Sequence, residues 1–195
     1  VGLVVLTSAS LLLLACGSDD EAQKKGADAV EEQPEKTTSK EDGFIVERYT
    51  LDSDKDPDLI KYFEEYPDPE QKGVMLRRIR KKEIDVNSDG TVDVVRHYNK
   101  QGDPTKSEID VDLDGTNDVR NFFDNDQLVR KELLSKNGQE VIEWRHYHDG
   151  EIVRVERDRN SDDKVDYWEF YEQGTLDRIG RDVDGDGKAD SWTRR

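Results

Sequence analysis

Four nine-residue stretches place an oxygen-bearing side chain at nearly every second position. In the clearest, Asp182, Asp184, Asp186 and Asp190 stand at positions 1, 3, 5 and 9, with Gly187 at position 6 and Lys188 at position 7. The others are Asp85, Asn87, Asp89, Thr91 and Asp93, then Asp110, Asp112, Asp114, Thr116 and Asp118, then Asp158, Asn160, Asp162, Lys164 and Asp166. Calcium is a hard cation that takes six to eight oxygen ligands, and a short loop supplies them when alternate side chains turn inward. Positions 1, 3 and 5 carry Asp or Asn, position 7 would offer its carbonyl, and an Asp stands at position 9 in all four loops. Up to four Ca2+ sites are therefore expected. Magnesium fits less well, because it keeps its waters and demands tighter octahedral geometry. The competing reading is a set of metal-free hairpin loops rich in turn-forming Asp, Asn and Gly.

The loops must be positioned by whatever repeats with them. They begin at residues 85, 110, 158 and 182, so one slot near 134 is occupied by Leu134-Ser135-Lys136-Asn137-Gly138-Gln139, which carries no acid. A shorter version, Asp52 to Asp58, opens the series with two residues fewer than a full loop. Two columns follow the same period. One reads Phe63, Tyr98, Phe123, Tyr147 and Tyr171, and the other Ile60, Val95, Arg120, Trp144, Trp168 and Trp192. Between loops the apolar residues alternate by two, as in Ile152-Val-Arg-Val-Glu156 and Asp166-Tyr-Trp-Glu-Phe-Tyr171, which is the strand period. Gly-containing turns at Lys100–Gly102, Asp149-Gly150 and Gln173-Gly174 close each unit.

About 24 residues per unit suits two short strands and two turns. The expected fold is mostly β: an antiparallel hairpin-repeat meander with acidic loops along one edge and Gly turns along the other. Helix competes only over Asp58–Glu65 and Pro69–Arg80. Trp144, Trp168 and Trp192 should lie on one face, either as packing or as a binding face.

The chain has 195 residues, 32% hydrophobic and 39% charged, with a net charge of −17. Such a balance alone would favour disorder, but the clustered, periodic aromatic and β-branched residues argue for order that leans on bound cations. The four loops hold fifteen acids, close to the whole excess. Nucleic acid is excluded as an expected partner, since phosphate binding calls for a basic surface. The one basic run, Arg77 to Lys82, alternates as a solvated strand. No phosphate loop, nucleophile elbow or HExxH motif is present, and His97 and His146 share a column with Phe122 and Phe170. The chain is not expected to be an enzyme.

Residues 1–15 are apolar over a length that suits a signal peptide better than a membrane span. Leu13-Leu14-Ala15-Cys16 resembles the lipobox of bacterial lipoproteins, although no basic residue precedes the apolar run. The resemblance implies cleavage before Cys16 and lipidation of that residue, hence a membrane partner through a lipid anchor and placement in the bacterial cell envelope. Gly17, where an Asp commonly retains lipoproteins in the inner membrane, favours the outer membrane. Residues 16–43 read as the lipidated cysteine and a disordered tether, and residues 44–195 as the β-repeat domain.

The pattern Asp-x-Asp-x-Asp-Gly-x-x-Asp resembles the EF-hand-like loops of dockerins, thrombospondin type 3 repeats and integrin FG-GAP blades. The resemblance covers the loops alone and implies ligands at positions 1, 3, 5, 7 and 9. Asp163 replaces Gly at position 6 of its loop, a departure from the pattern. Three functions are consistent with these features. They are a calcium-bound, surface-tethered structural or adhesive lipoprotein, a module gripping a glycan or peptide on the Trp column, and a calcium-responsive accessory protein. An envelope protein or glycan would be the partner.

Overall fold

The computed structural model describes residues 34–52 and 55–195; the signal-peptide and lipobox expectations, with Cys16, lie outside the described residues. Thirteen strands follow one another: β1 Glu35–Glu41, β2 Phe44–Thr50, β3 Leu59–Pro67, β4 Met75–Ile84, β5 Val94–Tyr98, β6 Pro104–Ile109, β7 Val119–Asp124, β8 Gln127–Leu134, β9 Val141–His148, β10 Glu151–Arg157, β11 Tyr167–Glu172, β12 Thr175–Arg181 and β13 Ser191–Arg194. Each pairs antiparallel with its sequence neighbour, so the spatial order is the chain order in one open sheet. The expected all-β meander is what the chain forms. Strand, turn, strand without a crossover permits nothing else.

Two expectations change. The stretches in which helix competed are strand and turn: Leu59–Pro67 pairs with Met75–Ile84 across nine positions, and residues 68–74 turn between them. The reason is tertiary, because an isolated helix here would have no apolar stripe to bury, whereas the neighbouring strands satisfy its whole backbone. The sheet also begins before Phe44. Residues 35–41 pair with β2 through a two-residue turn at Asp42 (φ 47°) and Gly43 (φ 84°), a left-handed pair of the type that closes hairpins. The Asp-Gly dipeptide between two runs that can extend was the available signal.

The same two-residue turn recurs at Asn125-Asp126, Asp149-Gly150 and Gln173-Gly174. Five hairpins also carry a register shift at one place, beside Phe63, Tyr98, Phe123, Tyr171 and between Ile152 and Arg154. These bulges at matching points of five hairpins add right-handed twist; the β1–β2 hairpin has none, and one further shift lies between Leu133 and Leu134.

No second layer covers either face among the described residues, and the fully buried side chains are few: Val46, Asp93 and Ser107. Lateral ladders replace the core. In alternate strands a cation and a glutamate two residues apart form ion pairs: Lys81–Glu83 at 2.6 Å, Lys106–Glu108 at 2.8 Å, Arg130–Glu132 at 3.0 Å and Arg154–Glu156 at 3.4 Å. In register with these cations on adjacent strands stand Tyr62 opposite Lys81, Phe122 between Lys106 and Arg130, and Phe170 between Arg154 and Arg178. Lys81 lies 4.0 Å from the Tyr62 ring centre, Arg130 4.1 Å from Phe122 and Arg178 4.7 Å from Phe170. Long cationic stems thus cover aromatic faces that a second sheet would otherwise cover.

Candidate metal loops

Every acidic loop joins an even-numbered strand to the next odd one, so all lie along the same edge. Their internal bonding is the same each time. The ninth residue turns its Oδ2 back onto the second amide: Val86 donates to Asp93 at 2.7 Å, Val111 to Asp118 at 2.7 Å, Arg159 to Asp166 at 2.9 Å and Val183 to Asp190 at 2.8 Å. The first residue accepts from the far side of the loop. Gly90 donates to Asp85 at 2.7 Å, Gly115 to Asp110 at 2.7 Å, Asp163 to Asp158 at 2.9 Å and Gly187 to Asp182 at 2.7 Å. The fifth residue accepts the seventh amide, as Asp114 does from Thr116 at 2.8 Å and Asp186 from Lys188 at 2.9 Å. These bonds hold the carboxylates at fixed angles before any ion arrives.

Two left-handed residues bend each loop. Position 6 is left-handed in Gly90, Gly115 and Gly187, and Asp163 adopts the same geometry at φ 65°. Position 4 is left-handed as well, in Ser88 (φ 57°), Leu113 (φ 61°), Ser161 (φ 59°) and Gly185 (φ 81°). Sequence reasoning located the first bend and missed the second, since Ser and Leu do not advertise it.

In two loops three carboxylates converge. Asp110, Asp112 and Asp118 bring one oxygen each to within 4.8 Å of one another, and so do Asp182, Asp184 and Asp190. Each group could hold a metal ion. The loops at 85 and 158 have Asn at position 3; the Asn87 amide donates to Asp89 at 2.8 Å and that of Asn160 to Asp162 at 3.2 Å.

The electrostatics differ between the two triads. Burial raises the Asp112 carboxyl above its ordinary value, and repulsion from Asp114, Asp118 and Asp110 adds to this. Burial also pushes at Asp182, but the amides of Gly187, Gly185, Asp186 and Asp184 prevail and hold its carboxyl low. The Asn87 amide, with the Thr91 backbone, likewise holds Asp89 low. The triad at Asp110 is thus the one whose ionised form most lacks a counter-charge.

The opening loop is longer than its acids suggest. Leu51 donates to Asp58 Oδ2 at 2.6 Å across seven residues, the separation found in the other loops. Asp58 is therefore the ninth position and Thr50 the first, which makes the loop full length rather than two residues short. Ser88 also donates to Asp58 Oδ1 at 2.6 Å, and the Ser88 hydroxyl with the Leu51 amide holds that carboxyl low.

The slot at 134 keeps the scaffold without the charge. Leu134 donates to the Asp118 carbonyl at 2.8 Å, and Asp158 to the Ile142 carbonyl at 3.1 Å. Positions 1 and 9 are thus Leu134 and Ile142, with Leu134 6% exposed. An aliphatic side chain fills the first position that an acid occupies in neighbouring loops.

The Trp column lies in one row of one face, but other strands intervene. Glu156 pairs with both Trp144 and Trp168, and Gly180 with both Trp168 and Trp192. Trp192 lies over Gly180, its Cζ3 2.8 Å from where a Cβ would stand, and its ring centre is 5.7 Å from that of Phe170. His146 Nε2 lies 2.6 Å from Glu156 and His97 Nε2 3.5 Å from Glu108, so both histidines pack against glutamates of the ladder.

No family model matches the chain, and no curated protein matches it. Among solved structures, one that resembles it is a Streptococcus pneumoniae crystal structure of accessory secretory protein 1,2 and 3. The two are 18% identical with a TM-score of 0.39, covering 62% of this chain and 20% of that one. The present chain therefore spans a fifth of that protein's length.

Proposed function

We propose that this chain is a calcium-binding repeat lipoprotein. Its sheet is stiffened by ions along one edge, and it serves a structural or adhesive role in the bacterial cell envelope. The carrying observation is the convergence of Asp110, Asp112 and Asp118, repeated by Asp182, Asp184 and Asp190. An all-oxygen, carboxylate-rich set in a loop bent by left-handed residues suits a large, hard cation over a softer metal. The loops at 85 and 158 hold the same backbone pattern with Asn at position 3 and would bind more weakly, having one ligand charge fewer. Cys16 supplies the lipid anchor in this reading, and multiple acyl chains give durable attachment.

Calorimetric titration of Ca2+ into the full chain tests this. Two strong equivalents and up to two weaker ones are expected; absence of binding would return the loops to ordinary turns. The second reading, a glycan- or peptide-binding face, is favoured by Trp192, which is 52% exposed beside Arg178 and Arg194. Saturable quenching of Trp emission by oligosaccharides, lost in Trp192→Ala, would support it.

A further inference from the structure

We propose that the cleft between the last two acidic loops binds a phosphate-type oxyanion through Arg159 and Arg181, together with the metal ion at Asp182, Asp184 and Asp190. The inference rests on the metal reading of that loop. The cleft measures about 530 Å³ and is lined by Arg159, Asn160, Asp166, Arg181, Asp182 and Asp184.

Three guanidinium groups surround the Tyr167 ring, with Arg157 at 5.4 Å, Arg159 at 5.3 Å and Arg181 at 6.0 Å from its centre. Arg157 is committed to Glu143 and to Glu169, the latter at 3.2 Å. Arg159 and Arg181 are exposed, and both guanidiniums pack against the Tyr167 ring. Carboxylates are near, but the Asp166 Oδ2 takes the Arg159 amide and Asp182 takes those of Gly185 and Gly187. Among the described residues, Arg159 and Arg181 thus form no ion pair within 4 Å, in a chain of net charge −17.

Contact with an aromatic ring holds a guanidinium plane while leaving its N–H edge free, and that edge matches a phosphate in bidentate fashion. The opposite wall, Asp182 and Asp184, repels an anion until a cation neutralises it. Asp182, Asp184 and Asp190 would hold a calcium ion there, whose positive charge would remove the repulsion and attract the oxyanion. The two ligands are then coupled, and by linkage each raises the affinity of the other by the same factor. The arrangement belongs to this loop pair. Position 2 is Val86, Val111 and Val183 in the other acidic loops, and the residue before position 1 is Ile84 and Ile109 in the first two.

The test is calorimetric titration of phenyl phosphate into the full chain, with saturating Ca2+ and with chelator, for the native protein and for R159Q/R181Q. One saturable site in Ca2+ is expected, weakened at least tenfold by chelator and at least tenfold by the double substitution. The Ca2+ stoichiometry should stay unchanged in the variant. If the double variant melts early, R159Q alone, an exposed loop change, replaces it. Sedimentation with phosphatidylglycerol vesicles distinguishes the source of the phosphate: Ca2+- and arginine-dependent capture indicates a lipid headgroup, and binding of phenyl phosphate alone indicates a soluble phosphoester. No binding by the Ca2+-loaded chain, or equal binding by the variant, overturns the proposal while leaving the metal sites standing. Absence of Ca2+ binding overturns the metal reading itself.

Discussion

The amide of Asp85 donates to the carbonyl of Asp58 at 3.0 Å, which ties the first residue of one acidic loop to the last of the loop before it. The bond recurs from Asp110 to Asp93 at 2.8 Å, from Leu134 to Asp118 at 2.8 Å, from Asp158 to Ile142 at 3.1 Å and from Asp182 to Asp166 at 3.0 Å. The six loops therefore form a continuous backbone chain along one edge, and the slot from Leu134 to Ile142, which has no acid at positions 1, 3, 5 or 9, preserves it. Side chains add to the linkage: Lys164 donates to the Gly185 carbonyl at 2.7 Å. Stability in such an array is a sum of unit and neighbour terms, so an ion that orders one loop supports the next.

Metal removal should therefore loosen more than the loops. A ligand at a hundredfold excess over its Kd stabilises the folded state by about 2.7 kcal/mol per site. Circular-dichroism melts with Ca2+ and with EGTA should separate by several degrees. Coincident melts would contradict a stabilising role.

Leu113 holds a left-handed conformation in which its Cβ crowds the following carbonyl. Leu113→Gly relieves that strain, offset in part by the greater freedom of glycine in the unfolded chain. A gain of about 1 kcal/mol in urea unfolding is expected. A loss of stability would mean that the exposed leucine makes packing contacts worth more than the strain.

Leu134 occupies the position that holds an acid in the neighbouring loops, yet restoring the acid there should not restore a site. Positions 3, 5 and 9 of that loop are Lys136, Gly138 and Ile142. Leu134→Asp loses aliphatic burial and strands a charge, for a cost of roughly 2–4 kcal/mol. Denaturant unfolding measures the loss, and Ca2+ stoichiometry should not rise.

Glu64 faces Arg78 at 3.0 Å and Arg80 at 2.6 Å, and these guanidiniums pull its carboxyl down to about 2. A carboxylate whose folded value lies below its unfolded one stabilises fully above the unfolded value. That contribution is lost as pH falls from about 4.5 toward 2. Glu64→Gln should lower the melting temperature at pH 7 and lose its effect near pH 2, by calorimetry at both. An equal deficit at the two values would place the effect in packing instead.

The sequence by itself determined the repeat, the all-β class and the placing of the acidic loops on one edge. Alternation by two and a 24-residue period leave a meander as the simplest way to satisfy every backbone group. The grouping of Asp110 with Asp112 and Asp118, and of Asp182 with Asp184 and Asp190, was legible too, because alternate side chains of a short loop turn to the same side. Tertiary pairing decided the rest. Residues 59–67 and 75–84 became strands because their neighbours offered hydrogen bonds that a helix without an apolar stripe could not match. The sheet reached back to Glu35 because an Asp-Gly turn folded a polar segment onto β2. The true start of the opening loop, Thr50, emerged only from the bond between Leu51 and Asp58, since threonine there carries no acid. The freedom of Arg159 and Arg181 was likewise invisible beforehand. It depends on where Asp166 and Asp182 spend their oxygens, and hydrogen-bond geometry, more than residue type, decides that.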